Sequence, residues 1–204
     1  MPRRHLALSL FLPLLWLASC SFGGPNRLVA TFAPLAQGAT LTPGTVMLVV
    51  ADARANRSLV GPEALGKDLF KGSQNGVMDL SVTLPTGQVV ARSLLTVEGV
   101  VFEAVKERLR LLGINAETTN ANAKCRITIN IADFVVDARG SDVIAHVRLE
   151  SVVDRPGLDL VTRSWAEADS SKFKLIGDMG GDESLSQALS LCVNRLDFSS
   201  LNRF

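Results

Sequence analysis

The sequence predicts an α+β domain in which two amphipathic helices pack on a twisted, mainly antiparallel sheet, behind a lipoprotein signal peptide. Three observations predict it. Several stretches alternate apolar and polar residues, which is the period of a half-buried strand. Two other stretches repeat apolar residues every three or four positions, which is the period of a helix packed on a core. Their order along the chain is strands, helix, antiparallel strands, helix, and this order is typical of α+β domains.

Residues 1–19 have the composition of a signal peptide. Arg3 and Arg4 supply a positive end, and residues 6–17 are almost entirely apolar. As a helix this run would rise only about 18 Å, whereas the hydrocarbon of a bilayer is about 30 Å thick. We therefore expect a cleaved signal rather than a lasting membrane span.

The apolar run ends in Leu17-Ala18-Ser19-Cys20, which resembles the lipobox of bacterial lipoproteins. The resemblance implies cleavage before Cys20, a diacylglycerol on its thiol and an acyl chain on its new amino group. We predict no other cofactor. Two or three acyl chains anchor a protein far more firmly than one chain does. The alternative is an ordinary signal with an incidental cysteine. Ser21 resembles the residue found in lipoproteins that are sent on to the outer membrane, which predicts an outer-membrane anchor with the domain facing the periplasm.

Residues 20–44 form the lipidated N-terminus and a segment rich in glycine, proline and small side chains, which predicts a flexible tether. Within it, Leu28–Phe32 could pair as an edge strand. Residues 45–204 are long enough and apolar enough for a single domain with its own core. Cleavage would remove two of the 21 basic residues, which then nearly balance the 20 acidic ones. Such a balance excludes a nucleic-acid binder, which needs a concentrated basic surface.

The first half of the domain predicts two strands and a helix. Thr45–Ala51 is apolar on both alternating faces, as in a central strand, and Val77–Leu84 is a second strand. Ser93–Leu112 repeats apolar residues at helical spacing. Ser93 is a suitable N-cap for this helix, and Gly113 lies where a left-handed residue commonly ends one.

The second half predicts a short strand over Ile114–Glu117 and then three long strands. Residues 127–131 alternate isoleucine with polar residues, but Asp133 falls on the apolar parity, which predicts a bulge. Residues 143–150 alternate regularly, and Leu158–Lys172 is polar enough to be an edge strand. A last helix, capped by Asp182, has the apolar stripe Leu185, Leu189, Cys192 and Leu196.

Catalytic and metal-binding motifs are absent from the sequence. It contains no Gly-x-Ser-x-Gly elbow, phosphate loop or His-Glu-x-x-His pair. His146, the one histidine left after cleavage, lies mid-strand on the polar parity, as a surface residue would. We therefore predict no enzyme activity and no metal. The alternative is a cryptic hydrolase or small cation site built from Asp133, Asp137, Asp142 and Glu150.

Two groups of residues are candidates for binding a partner. Asp52, Arg54 and Arg57 follow the first strand, where loops hold functional residues away from the core. The favoured interpretation of this cluster is a local ion pair worth about 0–1 kcal/mol. Trp165 either covers a neighbouring strand or anchors a partner, and exposure of its side chain would favour the anchor.

Cys125 and Cys192 lie on the apolar parity of a strand and in the apolar stripe of the last helix. Both are predicted to point into the interface between helix and sheet. Oxidising conditions outside the inner membrane would permit a disulfide between them. Two separate buried thiols that behave as small hydrophobic side chains are the equal alternative.

Several features together resemble the YajG-type family of bacterial lipoproteins. They are the lipobox, the strand leading into VADARANRSLVG, the helix ending in RLRLLGINA, and the later strands with their terminal amphipathic helix. The resemblance runs from about Thr45 onward and implies an envelope lipoprotein with no family catalytic residues. The same plan resembles auxiliary lipoproteins of envelope transport systems.

The sequence thus predicts a lipid-anchored, non-catalytic component that binds another envelope protein or a copy of itself. The alternative is an accessory protein of lipid or glycolipid transport, in which the apolar helix faces would line a groove.

Overall fold

The computed structural model describes residues 27–35, 41, 44–84, 86–119, 125–155, 160–173 and 179–203. The predicted signal peptide and Cys20 lie outside these residues. The strands are β1 (Val29–Phe32), β2 (Gly44–Asp52), β3 (Val77–Thr83), β4 (Val89–Thr96), β5 (Ile114–Glu117), β6 (Arg126–Arg139), β7 (Asp142–Arg155) and β8 (Leu160–Phe173). The helices are α1 (Pro62–Gly66), α2 (Val97–Leu111) and α3 (Met179–Arg195). No helix of the described ranges combines the length and the apolar character needed to cross a membrane.

The strands form two sheets. One has the order β5-β2-β6-β7-β8, with β2 parallel to both β5 and β6 and with antiparallel pairing from β6 to β8. The other has the order β1-β3-β4, with β1 parallel to β3. The predicted α+β class is confirmed. The second sheet was not predicted, because the residues of β4 were assigned partly to a loop and partly to the start of the predicted helix.

Helix α2 begins four residues later than predicted. Its N-cap is Thr96, whose hydroxyl accepts a hydrogen bond from the amide of Gly99 at 3.3 Å. Ser93, the predicted cap, lies inside β4. Leu94 fits the helical spacing in the sequence, but its φ is 58° and its side chain is 62% exposed, so it belongs to no helical stripe.

The two long helices pack on one face of the five-stranded sheet. Helix α2 contacts β2 and β5, α3 contacts β7 and β8, and each helix also touches the three-stranded sheet. The helix-facing residues of β7, such as Val143 and Val147, are buried, whereas the alternate residues His146 and Arg148 point the other way. No long helix of the described ranges covers that opposite side of β7 and β8. Polar side chains on that side are therefore accessible to a partner.

The predicted bulge in β6 is confirmed. The register with β7 shifts between Ile131 and Asp133, so that Ile131 pairs with Leu149 and Asp133 pairs with Arg148. The extra residue, Ala132, reverses the alternation of side chains along the strand. Phe134 is thereby buried, and Asp133 points to the side of the sheet that carries His146.

Strand β1 is held against α3 by side chains spaced four residues apart on the helix. This polar stripe accepts hydrogen bonds from alternate backbone amides: Asp182 from Val29 at 2.9 Å, Ser186 from Thr31 at 2.7 Å, Ser190 from Ala33 at 3.1 Å, and Asn194 from Leu35 at 3.1 Å. The stripe satisfies donors that an edge strand would otherwise leave unpaired. Asp182, predicted as a cap, lies in the first turn of α3 and belongs to this stripe.

The docked segment lies within the predicted tether. Leu28, Ala30 and Phe32 are completely buried, and the backbone amide of Leu28 donates to the buried Ser73 hydroxyl at 2.8 Å. Residues 27–35 are therefore part of the folded domain. The expected edge strand over Leu28–Phe32 is present as β1.

Removing two hydroxyls of the polar stripe is expected to open the outer edge of β1. In a Ser186→Ala/Ser190→Ala variant, amide hydrogen exchange of Thr31 and Ala33 should accelerate about fivefold, because a typical hydrogen bond contributes about 1 kcal/mol. The amides of Ala30 and Phe32 face β3 and are the internal control. Equal acceleration of all four amides would indicate general unfolding and contradict the prediction.

Candidate functional site on the open face of the sheet

The predicted Asp52–Arg54 cluster is a buried ion pair. Nε and Nη2 of Arg54 donate to the two carboxylate oxygens of Asp52 at 2.8 and 2.9 Å. Nη1 of Arg54 donates to the backbone oxygen of Phe134 at 2.9 Å, which ties the end of β2 to β6. The hydrogen bond from Arg54 holds the pKa of the Asp52 carboxyl below its usual value, although burial acts in the opposite direction. These donors are used inside the fold, so Arg54 offers little to a partner.

Arg57 is the exposed member of the same cluster. Its side chain is 76% exposed, and its Nε lies 3.9 Å from Asp52. A partner could therefore reach Arg57, whereas the other two residues serve the local structure.

Trp165 lies on the uncovered side of β8, and its side chain is exposed. The residue is 53% exposed, and the guanidinium carbon of Arg148 lies 4.8 Å from the centre of the ring. This cation–π contact across two neighbouring strands limits the orientations of the indole without covering it. An exposed, oriented tryptophan matches the anchor interpretation made from the sequence.

An ion-pair network continues the surface beside Trp165. Glu150 lies opposite Trp165 in the register and is 3.4 Å from Nη1 of Arg163. Glu150 also accepts a hydrogen bond from Nδ2 of Asn130 at 2.8 Å. We call the uncovered side of β6, β7 and β8 the open face. Around Trp165 it is lined by His146, Arg148, Glu150, Arg163 and Glu167.

His146 is surrounded by carboxylates. Its Nδ1 lies 2.6 Å from Asp169, and its Nε2 lies 3.6 Å from Asp133 and 3.9 Å from Glu167. The ligand atoms of His146, Glu167 and Asp169 all lie within 4.8 Å of one another, so these three could hold a metal ion. The two acids are exposed, and exposed acidic groups are common without an ion, so this arrangement carries no metal assignment.

Neither the role of Arg148 nor the cluster around His146 was predicted from the sequence. The cluster joins residues of three strands, and one of them reaches it through the bulge in β6. The available signal was that the alternate, polar positions of residues 146–150 and 163–169 carry charged side chains of both signs. It identifies a charged strand face but not which residues meet.

The alternative cation site is not assembled. Asp137 accepts hydrogen bonds from the amides of Ala64 and Ala138, both at 2.8 Å, at the start of α1. Asp133 faces His146, and Glu150 is bound to Asn130. Asp142 begins β7 opposite Arg139, so the four acids serve separate parts of the fold.

The two cysteines are free and buried, which corrects the disulfide considered from the sequence. Cys192 donates to the backbone oxygen of Ala166 at 3.3 Å. Ala166 pairs with Leu149 of β7, which in turn pairs with Ile131 of β6. Cys125 lies six residues before Ile131, which is about 20 Å along a strand. A disulfide needs Cα atoms within about 7 Å. Burial raises the pKa of the Cys192 thiol to about 12, and it also raises the pKa of Cys125.

The apolar stripes of the two long helices lie in the core and line no groove. Val101 and Val105 of α2 and Leu185 and Leu189 of α3 are completely buried. One open groove runs beside β1 and the first turns of α3, with a volume of about 530 Å³. Its lining includes Val29, Thr31, Phe173, Asp182 and Glu183, which combines apolar and charged side chains.

Comparison with known proteins finds likeness in solved structures alone. No family model matches the chain, and no curated protein matches it. The YajG-type resemblance therefore stays a prediction.

Three solved structures share parts of the architecture. A DUF330-family protein from Xanthomonas campestris has 11% identity and a TM-score of 0.49, over 85% of this chain and 94% of that one. The PelC dodecamer from Paraburkholderia phytofirmans has 11% identity and a TM-score of 0.36, over 79% and 95%. Lipoprotein GNA1162 from Neisseria meningitidis has 8% identity and a TM-score of 0.30, over 64% and 85%. Likeness at this level supports no inference about function.

Proposed function

We propose that this protein is a lipid-anchored, non-catalytic component of the bacterial cell envelope that docks to another envelope protein through its open face. Trp165 is the anchor of that contact, and its exposed indole beside Arg148 is the observation that supports the proposal. Tryptophan and arginine are the residues most enriched among those that dominate binding energy at protein interfaces. The polar network around them provides the rim that such interfaces have.

The membrane attachment in this proposal rests on the lipobox. Acylated Cys20, followed by Ser21, would hold the domain at the outer membrane, facing the periplasm. The proposed docking differs from the alternative of lipid or glycolipid transport, because the apolar helix stripes that would line a carrier groove are buried. It needs no catalytic residue.

Cross-linking in intact membranes, followed by isolation of the protein, tests the docking site. The Trp165→Ala variant should capture its partner with yield reduced at least tenfold, since loss of a dominant interface residue typically costs about 2 kcal/mol or more. Val161→Ala is the matched control, because Val161 lies on the same strand and face and is 54% exposed. Equal capture by wild type and Trp165→Ala, with both folded by circular dichroism, would contradict the proposal.

A further inference from the structure

Strand β8 presents a long, uninterrupted edge. It is the outermost strand of the five-stranded sheet and pairs with β7 over 14 residues without a register shift. No other strand of the described ranges pairs with its outer edge. Natural edge strands are commonly shortened, bulged or interrupted by proline, which prevents pairing with another chain. Residues 160–173 contain no proline, and the bulge of this sheet lies in β6.

The side chains along the open face of β8 are complementary to the same strand running in the opposite direction. If a twofold axis passes at Trp165, Arg163 of each copy lies opposite Glu167 of the other, and Trp165 lies opposite itself. An axis at Glu167 would instead place two glutamates opposite each other, which is unfavourable. The alternation of charge is therefore compatible with self-pairing about Trp165.

We propose that β8 pairs antiparallel with β8 of a second copy of this chain, about a twofold axis at Trp165. The contact is isologous, as most dimer interfaces are, and it joins the two five-stranded sheets into one continuous sheet. The two open faces become one surface with the two indoles side by side at its centre. This inference is independent of the docked partner, but it doubles the surface that the proposed function requires.

One side chain already contacts this edge. Nη1 of Arg195, an exposed residue at the end of α3, donates to the backbone oxygen of Glu167 at 2.8 Å. In the dimer the amide of Arg163 from the second copy takes this position. Because the Arg195 side chain is exposed, it can leave the edge and remain hydrated.

Disulfide trapping of the full chain in intact cells tests the pairing. In a Trp165→Cys variant the two new thiols would lie on directly opposed residues, whose Cα atoms are about 4.5–5.5 Å apart in antiparallel pairs, within disulfide range. Mild oxidation should convert more than half of this variant to a species of twice the monomer mass that reductant reverses. Ser171→Cys is the matched control, because it lies on the same strand and face. In the proposed register its two copies are about 40 Å apart, and it should stay monomeric.

Charge exchange separates the pairing from chance collision. Arg163→Glu should lower trapping of the Trp165→Cys variant at least threefold, and adding Glu167→Arg should restore it. Circular dichroism confirms that each variant is folded. Trapping that is equal at positions 165 and 171, absent from Trp165→Cys, or unaffected by the charge changes would overturn the proposed dimer. Partner capture is measured separately, so its loss or retention reports on the docking proposal alone.

Discussion

Replacing Arg54 by alanine is expected to destabilise the domain by about 3–5 kcal/mol, the cost of leaving one member of a buried ion pair without its partner. The variant loses both hydrogen bonds to Asp52 and the bond to the backbone oxygen of Phe134. Asp52, whose side chain is almost completely buried, then keeps only the backbone amide of residue 54 at 3.2 Å and the distant guanidinium of Arg57. Urea unfolding at neutral pH measures the change in free energy.

Arg57→Ala is the matched control for this experiment. Its exposed side chain lies 3.9 Å from the same carboxylate, so its loss should cost less than about 1 kcal/mol. A similar loss of stability in both variants would contradict the role assigned to Arg54.

Acid should reduce the difference between wild type and Arg54→Ala. The folded-state pKa of Asp52 is lowered below its usual 3.8, mainly by the hydrogen bond from Arg54. Its contribution to stability is therefore present above that usual value and is lost as the pH falls through the folded-state pKa. Unfolding curves at pH 7 and at progressively lower pH should show the two proteins converging. A difference that stays constant down to the acid transition would show that the carboxylate charge is not responsible.

Two neighbouring glycines of α3 should respond in opposite directions to alanine. A Cβ on Gly181 would lie 2.4 Å from two ring carbons of Phe70 and 3.0 Å from Leu28. The Phe70 ring is completely buried and its backbone is left-handed, with φ of 53°, so it has little room to move. We expect Gly181→Ala to lower stability by about 1–3 kcal/mol, as overpacking of a core typically does.

Gly180→Ala should leave stability unchanged or raise it by up to about 1 kcal/mol. Its nearest neighbours would be at 3.6 Å, which is ordinary contact, and alanine favours a helix over glycine. Thermal melts of both variants beside wild type measure the two shifts. Melting temperatures that move together would show that helix propensity, rather than the contact with Phe70, decides the outcome.

The regular parts of the fold could be predicted because alternation alone determines which side chains are buried. The strands over residues 77–83, 114–117 and 142–155 and the bulge beside Asp133 follow from parity. The boundary at Thr96 could not be predicted, since Leu94 matches the helical spacing although it lies inside β4. Pairing with β3 decides that boundary, and it involves residues about 15 positions away.

The candidate site was predictable in part for the same reason. Parity placed Trp165 on a polar strand face, but its exposure depends on β8 being the last strand of the sheet. The spacing of Asp52 and Arg54 allowed an ion pair, whereas its burial depends on contact with Phe134 of β6. The polar stripe of α3 was visible as short polar residues four apart, yet nothing local indicates that a strand from the other end of the chain binds there.

If Cys20 is acylated as proposed, the docking of β1 limits how far the domain can lie from the bilayer. Seven residues separate Cys20 from Leu28, the first buried residue of the docked segment. Even fully stretched, that interval reaches only about 28 Å, whereas a domain of this size is about 40 Å across. With Cys20 acylated, the segment that links the domain to the membrane would be shorter than the domain is wide. A partner that contacts Trp165 would then have to bind close to the membrane surface, because the short link keeps the domain there.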